Sequence, residues 1–108
     1  MPNKSYQIGY RFQLRVKKRL QKEGWFVLTQ PKSAFPDMIC WKPVTMKILG
    51  DHNTYKYYKV IGVECKVNKY LSRAEKAEAT RLLKENYVSR MYVYHRKNRT
   101  MLFYEFKP

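Results

Sequence analysis

Val60-Ile61-Gly62-Val63-Glu64-Cys65-Lys66 ends a long apolar run with two charged side chains two residues apart. Side chains alternate across a strand, so Glu64 and Lys66 share one face. Their neighbours Ile61, Val63 and Val67 mark a core, where charged groups are rarely buried without a partner, a metal or a catalytic task. A second carboxylate lies upstream, where Pro36-Asp37 opens another apolar run, Met38-Ile39-Cys40-Trp41. If the two runs pair as strands, Asp37 and Glu64 meet at a sheet edge. There they offer oxygens to a hard divalent cation, with Lys66 beside it.

The chain has 108 residues, 44% of them hydrophobic, which is one domain's worth of core and argues for a single folded unit over 1–108. Twenty-three Lys and Arg against eight Asp and Glu give a formal charge of +15. That imbalance points to a polyanionic partner, nucleic acid before any other. A membrane is not the expected partner, because the basic residues are spread along the whole chain and no long apolar segment anchors it. The opening Met1-Pro2-Asn3-Lys4-Ser5 carries no apolar leader, so the protein is expected inside the cell, in cytoplasm or nucleoid, of a cellular or viral host alike. Cys40 and Cys65 read as small buried hydrophobes within strands, and His52 and His95 as loop or strand-surface residues, which leaves little case for zinc.

Along the chain, Ile8, Phe12, Val16 and Leu20 recur every fourth residue and predict a helix over 5–23, stopped by Gly24. Arg11, Arg15, Lys17, Lys18, Arg19 and Lys22 occupy its other faces with Glu23 as the lone acid, a pattern suited to phosphate contact as well as to solvation. Residues 25–29 form a short strand, and the loop 30–36 delivers Asp37 to the next, which begins at Asp37 and is limited by Pro43. A further extended piece at 45–49 precedes a turn at Asp51-His52-Asn53. The long strand then covers 55–67, with Gly62 marking a bulge or a close backbone approach. Ser72-Arg73-Ala74-Glu75 has capping-box spacing and starts a second helix, with Ala74, Ala77, Leu82 and Leu83 as its apolar side and Asn86 near its end. Residues 90–95 and 101–106 are two closing strands with a basic tip at 96–100. The order is helix, three or four strands, helix, two strands: a mixed α/β class.

Phosphodiester hydrolysis needs a positioned water, neutralisation of charge growing on the phosphorane oxygens and relief of the leaving alkoxide. Two carboxylates holding Mg²⁺ address the last two needs, and a lysine near the water orients it or favours its deprotonated form. Pro36-Asp37 followed by Glu64-Cys65-Lys66 resembles the PD-(D/E)xK nuclease signature. The first helix, with Gly9-Tyr10-Arg11-Phe12-Gln13, is similar to that of archaeal-type Holliday-junction resolvases. The resemblance spans most of the chain and implies a restriction-endonuclease-like core, a homodimer, and Mg²⁺-dependent cleavage of branched DNA such as four-way junctions, with Mn²⁺ as a substitute ion. It makes Asp37 and Glu64 the metal-binding carboxylates, with Cys65 between the motif residues in the metal set, and Lys66 the catalytic lysine. Ser33 falls in the loop where the family often has a functional serine. Gln13 stands where the family usually has a glutamate; its carbonyl can orient a metal-bound water but brings no negative charge, which implies a weaker second-metal position or reduced activity. Arg11, Arg15, Lys18, Arg19, Lys32, Lys69 and Arg73 are the expected DNA contacts.

Taken singly, Glu64 and Lys66 read as a surface ion pair, Asp37 as a turn residue, Ser33 as plain loop and Gln13 as solvent-facing. Tyr55, Tyr57, Tyr58 and Tyr70 suit base stacking, and suit cross-strand packing better. Two other functions stay open beside a junction resolvase: a nicking or restriction-type nuclease of the same fold, and a non-catalytic basic nucleic-acid-binding protein.

Overall fold

The computed structural model describes residues 4–108, so Met1, Pro2 and Asn3 of the opening lie outside the described residues. The elements are α1 (Lys4–Lys22), β1 (Phe26–Thr29), β2 (Met38–Lys47), β3 (Thr54–Cys65), α2 (Arg73–Lys84), β4 (Arg90–Lys97) and β5 (Thr100–Phe106). The five strands form one sheet in the order β1-β2-β3-β4-β5, antiparallel except for the parallel β3–β4 pair. A parallel pair cannot be joined by a tight turn, and α2 is the crossover that joins this one.

The helices cover opposite faces of the sheet. The four-residue spacing of α1 buries Phe12, Val16 and Leu20 against Met38, Cys40, Ile61 and Val63. Gly24, at φ +97°, ends the helix in the left-handed conformation that glycine adopts without steric cost. On the other face, Ala79, Val88 and Met91 form a second core flanked by Ile39, Val60, Leu82 and Leu83. Ser72 and Glu75 form the full capping box at the start of α2, and Asn86, at φ +61°, follows its end. The apolar side of α2 differs from the one read in the sequence. Ala74 and Ala77 are exposed, and the side facing the sheet runs through the buried Ala79 and the half-buried Leu82 and Leu83, three and four residues on.

Pro43 does not end its strand. β2 runs unbroken from Met38 to Lys47 and includes the piece read as separate, with Pro43 opposite Tyr58. β1 accompanies β2 only as far as Trp41, so beyond it the outer edge of β2 is open and a missing N–H breaks no ladder. His95, read as a surface residue, is buried in β4 against Tyr104, and burial, then the Lys69 charge, hold its pKa below the ordinary value.

β3 is the central strand, and Gly62 sits where the second core closes over it. A β-carbon there would collide with the Met91 sulfur and lie 3.1 Å from the Pro36 ring. This is the close approach, and it presses the residue before Asp37 against the strand that carries Glu64. Gly62→Ala is expected to cost about 1–3 kcal/mol in urea unfolding through overpacking. An unchanged midpoint would show that the contact is not tight.

Candidate active site

Asp37 immediately precedes β2 and Glu64 is the penultimate residue of β3. Because Met38 pairs with Val63, the two acids come opposite one another. They meet at the ends of interior strands, β3 being the middle of five, and not at a lateral sheet edge. The backbone N–H of Asp37 donates to Glu64 Oε1 at 2.9 Å, and the backbone N–H of Cys65 donates to Asp37 Oδ2 at 2.9 Å. Each carboxylate is thus held by the main chain of the other's strand. Glu64 is only 6% exposed.

Lys66 lies one residue past β3, and its N–H donates to the Tyr94 carbonyl at 2.8 Å, which keeps the chain extended beside β4. Its ammonium stands 3.7 Å from Glu64 Oε2 and 2.7 Å from Glu75 Oε2. Glu75, read in the sequence as a helix cap alone, therefore has two tasks. Its Oε1 accepts the Ser72 N–H at 2.8 Å while its other oxygen pairs with Lys66. The capping spacing was visible in sequence; the lysine on its far side was not, because it depends on how the crossover returns.

The charges follow from these contacts. Burial, then the neighbouring Asp37 charge, push the Glu64 pKa well above the carboxylate range. Burial also raises Asp37, against the opposing pull of the Cys65 N–H, its hydrogen bond with Glu64 and Lys66. Burial works against the Lys66 charge, but the bond to Glu75 and the acids around it outweigh that and raise its pKa. Burial would raise Glu75, yet its bonds with Lys66 and the Ser72 N–H bring it down to about 2.

Asp37 lines a cleft of about 400 Å³ between α1 and the end of the sheet, walled also by Tyr10, Gln13, Gln30, Lys32 and Cys65; Glu64 lies behind it and is not part of the wall. Gln13 thus shares a cleft with Asp37. Ser33 is exposed and is not part of that wall; its neighbour Lys32 is. Among the described residues no three or more His, Cys, Asp and Glu side chains form a group that could hold a metal ion. The set Asp37, Glu64 and Cys65 is therefore no three-ligand cage. Burial drives the Cys65 thiol pKa strongly upward, so it stays protonated, and it is the Cys65 backbone that serves the site.

Arg11, Arg15, Lys18 and Arg19 are exposed and fall within about 100° of the α1 surface, on the flank away from Gln13. Arg15 donates to the Arg99 carbonyl in the β4–β5 turn at 3.2 Å, and Arg19 pairs with Glu23 at 3.4 Å. Lys69 and Arg73 are exposed in the β3–α2 connection and the first turn of α2. Among the described residues no helix is long and apolar enough to cross a membrane.

No protein-family model matches the chain, and no curated protein sequence does. Among solved structures it is similar to Hjc from Archaeoglobus fulgidus, a Holliday junction resolvase from an archaeal hyperthermophile. The TM-score is 0.61 at 19% identity, over 90% of this chain and 71% of that one. The chain has the restriction-endonuclease-like fold.

In this version of the restriction-endonuclease-like fold the acid pair is electrostatically frustrated. A carboxyl whose folded pKa is raised contributes stability below its unfolded value, and that contribution is lost as pH rises toward the folded value. Without divalent cations, Glu64→Gln should therefore melt higher than the parent at about pH 8, with the gap closing as pH falls through the ordinary glutamate value of 4.5. Thermal scans across this range test it; a parent more stable than the variant at the upper pH would contradict it.

Proposed function

We propose that this chain is a divalent-metal-dependent, structure-selective DNA endonuclease, best matched to a Holliday junction resolvase acting as a homodimer. The observation that carries the reading is the reciprocal clasp of Asp37 and Glu64 beside Lys66, with Asp37 in the wall of a cleft, on a chain of +15 charge. The fold it shares with an archaeal resolvase adds support.

The donor chemistry fits a hard cation. The buried Glu64 and half-buried Asp37 carboxyls each accept one backbone N–H and keep a further oxygen, and burial, with the acids around them, raises both pKa values, a cost that a bound cation would offset. Asp37 and Glu64 would hold the ion, Mg²⁺ or Mn²⁺ in its place, which supplies charge neutralisation at the scissile phosphate. The protein's own groups do the rest. Glu75 fixes the Lys66 ammonium at 2.7 Å, so the lysine enters the site charged and oriented, able to steer a water or a phosphate oxygen. The Gln13 side-chain amide, which lines the same cleft as Asp37, offers a neutral acceptor for a water. Arg11, Arg15, Lys18, Arg19, Lys32, Lys69 and Arg73 supply phosphate contacts that set affinity and its salt dependence.

The test is a labelled four-way junction and a matched linear duplex, each with and without Mg²⁺. The parent should cut the junction in preference and only with the ion. Asp37→Asn, Glu64→Gln and Lys66→Ala should each slow cleavage by at least about 100-fold while leaving junction binding largely intact. Variants that cut as fast as the parent would remove the site assignment. Equal cutting of linear duplex would instead favour a nicking or restriction-type enzyme. Arg15→Ala should lower the slope of log affinity against log salt by about 1; an unchanged slope would take the α1 stripe out of the DNA contact.

A further inference from the structure

β2 and β3 continue together beyond the sheet. β1 leaves β2 at Trp41 and β4 joins β3 only at Ile61, so 42–47 and 54–59 stand as a two-stranded ribbon without a third strand. The molecule is correspondingly elongated, at 58 × 29 × 24 Å. An unaccompanied ribbon is marginal in water and needs either a self-supporting face or a partner.

The two faces of the ribbon differ. On the side of α1, Lys42 stands opposite Lys59 where the ribbon leaves the sheet, its ammonium bonded to the Glu23 carbonyl at 2.7 Å, and beyond them Val44 stands opposite Tyr57 and Met46 opposite Tyr55, an apolar ladder that holds the strands to each other. The Tyr55 hydroxyl donates to Asp51 Oδ2 at 2.5 Å and the Asn53 N–H to Asp51 Oδ1 at 2.8 Å, so the one acidic side chain of this stretch is tied into its own turn. On the side of α2, Lys56 stands opposite Thr45 and Lys47 opposite Thr54, beside a Tyr58 that is 69% exposed. This face is basic and has no acidic residue.

Resting on the reading that the ligand is DNA, we propose that the ribbon is a second duplex contact, seating its Lys47, Lys56 and Tyr58 face in a major groove remote from the cleavage site. Charge complementarity selects the occupant: lysine is the only ion left free of a counter-charge on that face, which suits a polyanion, whereas a second copy meeting it with the same face would set lysine against lysine. The shape agrees, since a two-stranded ribbon fits a groove about 12 Å wide. The ribbon also points away from the acids. Met38 to Lys47 is nine residue steps, which at about 3.4 Å each carries Lys47 about 30 Å from the Asp37 end of the strand. That distance is about nine base pairs of duplex at about 3.4 Å per pair. A junction arm must reach that far to meet both contacts, so the ribbon would measure arm length.

The experiment compares anisotropy binding, without divalent cations, to four-way junctions with arms of about 6 and about 20 base pairs. The parent should favour the long arms. Lys47→Ala/Lys56→Ala should lose about 10-fold in affinity on long arms only, with the salt slope falling by about 2 and the melting midpoint unchanged. Unchanged affinity and slope on long arms, or an equal loss on both lengths, would overturn the proposal. So would Tyr57→Ser converting a dimer to a monomer in sedimentation while the lysine variant binds normally, because the ribbon would then serve a second copy. The outcomes separate from those of the nuclease reading: arm-length dependence in a protein that cuts nothing supports the ribbon and removes the enzyme, and cutting without arm-length dependence does the reverse.

Discussion

Two carboxyl groups are held together by the backbone. Asp37 gives its N–H to Glu64, and the residue after Glu64 gives its N–H back to Asp37. Such bonds to carboxylates are short and strong, and here they fix two acids against their mutual repulsion in a largely buried setting. The acids cannot relax apart without breaking the end of the β2–β3 ladder. The site is therefore built into the register of the sheet and does not rest on flexible side-chain choices, which is the condition for a preorganised charge cradle.

The rest of the fold serves that clasp. Gly62 lets Met91 and Pro36 press close, which sets the turn entering Asp37. Gln30 reinforces the same turn: its side chain donates to the Pro36 carbonyl at 2.8 Å and its N–H to the Asp37 carbonyl at 2.8 Å. The crossover to α2 returns Glu75 onto Lys66, so the residue that caps the helix also fixes the site's cation. Stability and chemistry share these contacts, and substitutions of Glu75 would disturb both.

Much of this was legible in the sequence, because the signals were local. The four-residue repeat of Phe12, Val16 and Leu20 and the capping box at Ser72 each follow from short-range rules, while the pairing of Pro36-Asp37 with Glu64-Cys65-Lys66, far apart in the chain, was carried by its resemblance to a nuclease signature. The failures were all questions of tertiary context. Pro43 reads as a strand end unless one knows that β1 stops at Trp41 and leaves that edge open. Ala74 and Ala77 are apolar in composition but turn to solvent, since the helix phase is set by Ala79 against the sheet. Cys65 sits within the motif, yet it is its backbone that meets Asp37. The second role of Glu75 had no sequence signal beyond its cap.

The central claim is that the acid pair is a cation site waiting on charge, and calorimetric titration with Mg²⁺ in two buffers of different ionisation enthalpy addresses it most directly. If burial and repulsion keep a proton on the pair, binding near neutral pH should expel it, giving a buffer-dependent heat, and Asp37→Asn should abolish the binding. Binding that persists in Asp37→Asn, or that exchanges no proton with the buffer, would contradict it.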